Sequence, residues 1–96
     1  MKKITLEKKI QDIPFREWIS ETEEVYVFKG NNGVTVINGV CPHFGGELYY
    51  DEKAKRIFCN LHSLTFCPNT MESNHRIFKK INSYRVINED PIIIEK

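Results

Sequence analysis

Two short segments of the chain concentrate side chains that bind metals. The first is Cys41-Pro42-His43-Phe44-Gly45-Gly46-Glu47-Leu48 and the second is Cys59-Asn60-Leu61-His62-Ser63-Leu64-Thr65-Phe66. Each supplies one thiol and one imidazole, as Cys-x-His, then fifteen residues, then Cys-x-x-His. Singly, a buried cysteine is more often a small core hydrophobe than a ligand, and a lone histidine is more often a surface or satisfied core residue. Here two of the three cysteines and two of the three histidines fall into two tight pairs, a clustering that chance rarely produces. Two thiolates and two imidazoles suit either one tetrahedral zinc or a two-iron, two-sulfide cluster with mixed ligands. Cys67 is read as a partly buried thiol outside the ligand set, and His75, without a partner at ligand spacing, as a surface residue.

The elements that must hold these segments are strands. Period-2 alternation and β-branched or aromatic runs dominate, and no stretch sustains a 3.6-residue apolar period. Ile4–Leu6 reads as a short edge strand. Glu24–Lys29 is a strand, Gly30-Asn31-Asn32-Gly33 a hairpin turn and Val34–Asn38 the return strand. Leu48–Tyr50 and Arg56–Cys59 form a second hairpin with Asp51–Lys55 at its tip. Arg76–Ile81, Tyr84–Asn88 and Ile92–Glu95 are three further strands, the last two joined by the turn Asn88-Glu89-Asp90-Pro91. Asp12–Glu21 reads as a short helix or as a loop around Pro14 and Trp18. Short strands with frequent turns mean an all-β sandwich or small barrel, and both metal-binding segments fall between strands, where loops present ligands.

Bulk properties narrow the function. The length of 96 residues is that of one domain, 1–96, in which a metal would reinforce a small core. A net charge of +1, with lysines and acids interleaved, argues against a nucleic-acid face. No apolar stretch is long enough to cross a bilayer, and Met1–Ile10 alternates charged and aliphatic residues with no signal-peptide core. A cytoplasmic protein without a membrane partner is expected. An odd number of cysteines in that compartment favours metal binding over a disulfide framework.

Cys41, His43, Cys59 and His62 stand at the spacing of the Rieske signature, and Pro42 with Gly45-Gly46 matches its common Cys-Pro-His-x-Gly-Gly first loop. Over residues 24 to 96 the chain thus resembles the Rieske [2Fe–2S] family. The resemblance implies a Rieske-like antiparallel β-sandwich with two cluster-binding loops and one [2Fe–2S] cluster per chain. By that resemblance Cys41 and Cys59 hold the inner iron, and His43 and His62 hold the outer one. Two ferric ions, two sulfides and two thiolates sum to zero charge, which makes an electron easier to add than in an all-cysteine cluster and raises the potential, to roughly −150 to +300 mV. High-potential members place a serine two residues after the second histidine and a tyrosine four after it. Leu64 and Phe66 stand there instead, and Gly46 and Leu61 replace the disulfide that links the loops of those members. The chain therefore resembles the low-potential, ferredoxin-like branch. Its second loop departs from the usual Cys-Pro-x-His-Gly, with Asn60 and Ser63 in place of Pro and Gly.

What the resemblance implies is a one-electron carrier, not an enzyme. It would take electrons from a flavoprotein reductase and pass them to a terminal oxygenase or similar enzyme, docking near His43 and His62. A tip of Pro42, His43, Phe44, Gly45, Leu61, His62, Ser63 and Leu64 contains no Lys or Arg, so its docking would depend weakly on salt. A full oxygenase needs a mononuclear iron held by two more histidines and a carboxylate, and only His75 is left. Two alternatives remain at this stage: a small subunit of a larger reductase, similar to that of nitrite reductase, and a structural zinc module. A monomer is expected.

Overall fold

The computed structural model of the chain describes residues 2–30, 33–41, 46–60, 65–73 and 80–96. Nine strands form among them: β1 (Lys3–Thr5), β2 (Phe15–Trp18), β3 (Glu24–Gly30), β4 (Gly33–Asn38), β5 (Leu48–Asp51), β6 (Arg56–Cys59), β7 (Thr65–Phe66), β8 (Ser83–Glu89) and β9 (Ile92–Glu95). All pairings are antiparallel. They make a six-stranded sheet in the order β1-β9-β8-β4-β3-β2 and a three-stranded sheet in the order β5-β6-β7. Among the described residues no helix is long and apolar enough to cross a membrane.

The run Val25-Tyr26-Val27-Phe28 in β3 is apolar at four consecutive positions, and all four side chains are buried. Successive strand residues point to opposite faces, so such a run belongs to a strand covered on both sides. Tyr26 and Phe28, with Ile37 of β4, pack in one cluster with Leu48, Ile57 and Phe66 of the small sheet, and Cys41 and Cys59 lie in that cluster. Val25 and Val27, with Val36, pack in a second cluster with Leu6, Phe15, Ile92 and Ile94. The large sheet therefore faces the small sheet with one side and curls its own edges over the other.

The curl is fastened by Glu17 of edge strand β2. Its carboxylate accepts hydrogen bonds from the backbone N–H of Glu7 (2.9 Å to Oε2) and of Lys8 (3.0 Å), just past edge strand β1. A carboxylate that accepts two backbone donors stands in for the ladder partner each edge lacks. Aromatic stacking adds to the interface between the sheets: the rings of Phe28 and Tyr50 lie 4.4 Å apart at 16°.

The expected strands at Ile4–Leu6, Glu24–Lys29, Val34–Asn38, Tyr84–Asn88 and Ile92–Glu95 are present, with ends shifted by a residue at most. The second hairpin pairs Leu48 with Cys59 and Asp51 with Arg56. Asn31 and Asn32 lie outside the described residues, but Gly30 and Gly33 pair across the turn, and Gly33 takes φ +104°, which glycine adopts without strain. Arg76–Lys79 also lie outside; Lys80 and Ile81 belong to no strand. The turn after β8 has a cis Asp90–Pro91 bond.

Asp12–Glu21 is neither helix nor loop. A single 3-10 turn spans Ile10–Asp12, and after a cis Ile13–Pro14 bond the chain enters β2, pairing Phe15 with Val27 and Trp18 with Glu24. Four residues are too few to display a period. What makes them a strand is a free edge of β3 and a place for Phe15 in the second cluster. The short β7 was equally hidden, because a two-residue strand exists only by its pairing with β6.

Candidate metal centre

Backbone hydrogen bonds build the first segment's stem. Beyond β4 the N–H of Gly39 donates to the Glu24 carbonyl (2.9 Å), the N–H of Leu48 donates to the Gly39 carbonyl (3.0 Å), and the N–H of Cys41 donates to the Gly46 carbonyl (2.6 Å). Val40 bridges Glu47 between them. Residues 39–41 thus run antiparallel to residues 46–48, with Cys41 bonded to Gly46 across this ladder.

The second segment grows from the other side of the same strand. Leu48 pairs with Cys59 at the end of β6. One residue further, the N–H of Asn60 donates to the Glu47 carbonyl (3.0 Å), while Asn60 Oδ1 accepts from the N–H of Glu47 (2.9 Å). Residues 46–48 are therefore shared, flanked by the residues that lead into Cys41 and by those that end in Cys59. This brings the roots of two segments, eighteen residues apart in sequence, to neighbouring positions at one end of the small sheet. Asn60 replaces the usual proline, and its side chain explains itself: a proline has neither the N–H nor the amide that hold Glu47.

Both cysteines are buried, Cys41 to 2% and Cys59 to 3% exposure, within the apolar cluster. Among the described residues no polar or charged side chain is buried. Paired thiols in an apolar lining are a soft donor set, suited to iron–sulfur chemistry or zinc and unsuited to calcium or magnesium. The described part of the site thus fits the cluster. His43 and His62 lie outside the described residues, as does His75. Among the described residues no three His, Cys, Asp or Glu side chains come together as a metal site, as expected where two of four candidate ligands are not among them.

Cys67 stands apart, after β7, half-buried. Its thiol is held below the usual cysteine range by hydrogen bonds from the backbone of Thr70 and Asn69 and from the Thr70 side chain. Sequence reasoning missed Arg16, which reaches the first stem from β2. Its guanidinium donates to the Gly39 carbonyl (Nη1, 3.1 Å) and to the Leu48 carbonyl (Nη2), and pairs with Glu24 (3.4 Å). A charged residue in a segment read as helix or loop gave no sign of that reach.

The chain matches the family model of the Rieske [2Fe–2S] domain over residues 4–85. No curated protein matches it. Among solved structures it is similar to the ferredoxin of carbazole 1,9a-dioxygenase from Nocardioides aromaticivorans IC177, with a TM-score of 0.73 and 17% identity over 98% of this chain and 96% of that one. That likeness carries the fold alone, because so few residues are shared. The chain belongs to the Rieske [2Fe–2S] domain family and binds a [2Fe–2S] cluster.

Proposed function

We propose that this chain is a Rieske-type ferredoxin whose cluster is held by the thiolates of Cys41 and Cys59 and the imidazoles of His43 and His62, and that it carries electrons from a flavoprotein reductase to a terminal oxygenase or similar enzyme. The observation that carries this reading is the shared strand 46–48, which puts the roots of two Cys/His segments side by side inside a Rieske domain match. The bound cluster takes up and releases one electron. Everything else is the work of the chain. Cys41 and Cys59 are shielded from water by Leu48, Ile57 and Phe66, which are fully buried in the same cluster. The ladder through Gly46, Glu47 and Leu48 fixes the backbones of Cys41 and Cys59 relative to one another. Leu64 and Phe66 have no hydroxyl, so neither donates a hydrogen bond toward the cluster, and Phe66 is instead committed to the core at 0% exposure.

The oxygenase partner is supported by the neighbour, a ferredoxin that its name attaches to a dioxygenase. An anaerobic titration tests the reading. The purified protein should accept one electron per chain, reversibly, at a potential toward the lower end of the roughly −150 to +300 mV Rieske range. An NADH-dependent flavoprotein reductase of an aromatic-ring dioxygenase system should reduce it. A potential near the top of that range would reject the ferredoxin branch, and a colourless protein with one zinc per chain would reject electron transfer altogether.

A further inference from the structure

Arg16 makes more polar contacts than any surface role requires. It sits on edge strand β2, far in sequence from either metal-binding segment, with its side chain only 19% exposed. Its guanidinium lies over the rings of Tyr26 (5.0 Å) and Tyr49 (4.7 Å). Its donors go to the carbonyls of Gly39 and Leu48, the residues that face each other across the first stem. One of these is two residues before Cys41, and the other pairs with Cys59. Two carboxylates complete the group: Glu24 at 3.4 Å and Glu47, 3.9 Å from Nε, which also accepts from the Tyr49 hydroxyl. Gly39 makes the room, because a Cβ there would come 2.7 Å from Arg16 Nη1. A planar fork that lies against two aromatic rings while donating to two carbonyls is a geometry lysine does not reproduce.

We propose that Arg16 is a positioning residue for the cluster, clamping both sides of the stem that carries Cys41 and supplying a fixed positive charge that raises the cluster's potential. This rests on the ligand assignment above. An electron taken up by the cluster would make it one unit more negative, and a cation tied to both stem carbonyls would favour that state, whereas Glu24 and Glu47 would oppose it. The partial burial of Arg16 keeps its field from being screened as a surface charge would be. Without Arg16, the two carboxylates face the stem with their cation removed.

The test is the midpoint potential of the loaded protein, together with its rate of iron loss to a chelator, for the wild type, Arg16→Gln, Arg16→Lys, Glu24→Gln and Gly39→Ala. Arg16→Gln should lower the potential and lose iron faster, by about 10-fold, the scale on which groups behind metal ligands act. Arg16→Lys, which keeps the charge and loses the fork, should also lose iron faster yet stay close to the wild-type potential. Glu24→Gln should raise the potential. Gly39→Ala, which displaces the guanidinium without changing any charge, should shift it downward and decides the matter if Arg16→Gln does not load. Equal shifts in Arg16→Gln and Arg16→Lys, or unchanged potentials in Gly39→Ala and Glu24→Gln, would overturn the charge role. A wild-type protein lacking two irons and two sulfides would remove the ligand assignment and this inference with it, whereas an intact centre with unresponsive potentials removes Arg16's part alone.

Discussion

Three thiols in this chain meet two fates that burial and neighbours separate. Cys41 and Cys59 are interior, at the ends of a shared ladder, while Cys67 is half-buried in a turn whose N–H groups point at its sulfur. Donors aimed at a thiolate favour it over the thiol, so Cys67 is more ionised at neutral pH than an ordinary cysteine and alkylates faster. Iodoacetamide should therefore modify Cys67 without bleaching the protein, and Cys67→Ser should leave iron content and spectrum unchanged, whereas Cys41→Ser or Cys59→Ser should abolish both. Bleaching on Cys67→Ser would mean the ligand set has been drawn wrongly. At this scale the sequence was most informative, because metal ligation constrains residue type and spacing directly. It was silent about Arg16 and Asn60, whose roles lie in what they touch across the fold and not in any local pattern.

At the scale of elements, legibility followed the origin of each strand. β3, β4, β5, β6, β8 and β9 carry their own signal in β-branched residues and turn chemistry. β2 and β7 exist through pairing: β2 because β3 leaves an edge open, β7 because Phe66 and Ile57 stand opposite each other at the heart of the first cluster. The short β7 begins three residues after His62, so its anchoring matters to the second segment. Phe66→Ala should cost about 3–5 kcal/mol, the usual penalty for deleting a fully buried aromatic side chain, with Phe66→Leu costing less. Denaturant unfolding of the two variants checks this, and a cost below about 1 kcal/mol for Phe66→Ala would contradict the packing described.

Over the whole molecule, the pairing of the two chain ends was beyond the reach of sequence periodicity. β1 pairs with β9, and Lys96 and Tyr84 both bond Glu23, seventy-three and sixty-one residues away. These bonds, first that of Lys96 and then that of Tyr84, hold the Glu23 carboxyl below the usual glutamate range. Burial and the same Glu23 carboxylate push the Tyr84 hydroxyl well above the ordinary tyrosine range. A carboxyl with a depressed folded-state pKa adds stability above its unfolded value, about 4.3, and loses it as the pH falls through the lower folded value. The gap in unfolding free energy between the wild type and Glu23→Gln should be full near neutral pH and close in acid below about pH 4. A gap that stays constant with pH would mean that the charge of Glu23 is not what fastens the C-terminal strand.

If two thiolates and two imidazoles from neighbouring segments hold the same pair of irons, the histidine nitrogens must couple to the cluster's unpaired electron. The most direct measurement is the nitrogen hyperfine spectrum of the dithionite-reduced protein, recorded with iron and sulfide analysis for the wild type and His62→Ala. The expected result is two irons and two sulfides per chain, nitrogen couplings from two histidines in the wild type, and loss or clear alteration of the centre in His62→Ala. A brown, reducible centre with no nitrogen coupling, or one left unchanged by His62→Ala, would contradict this ligand set.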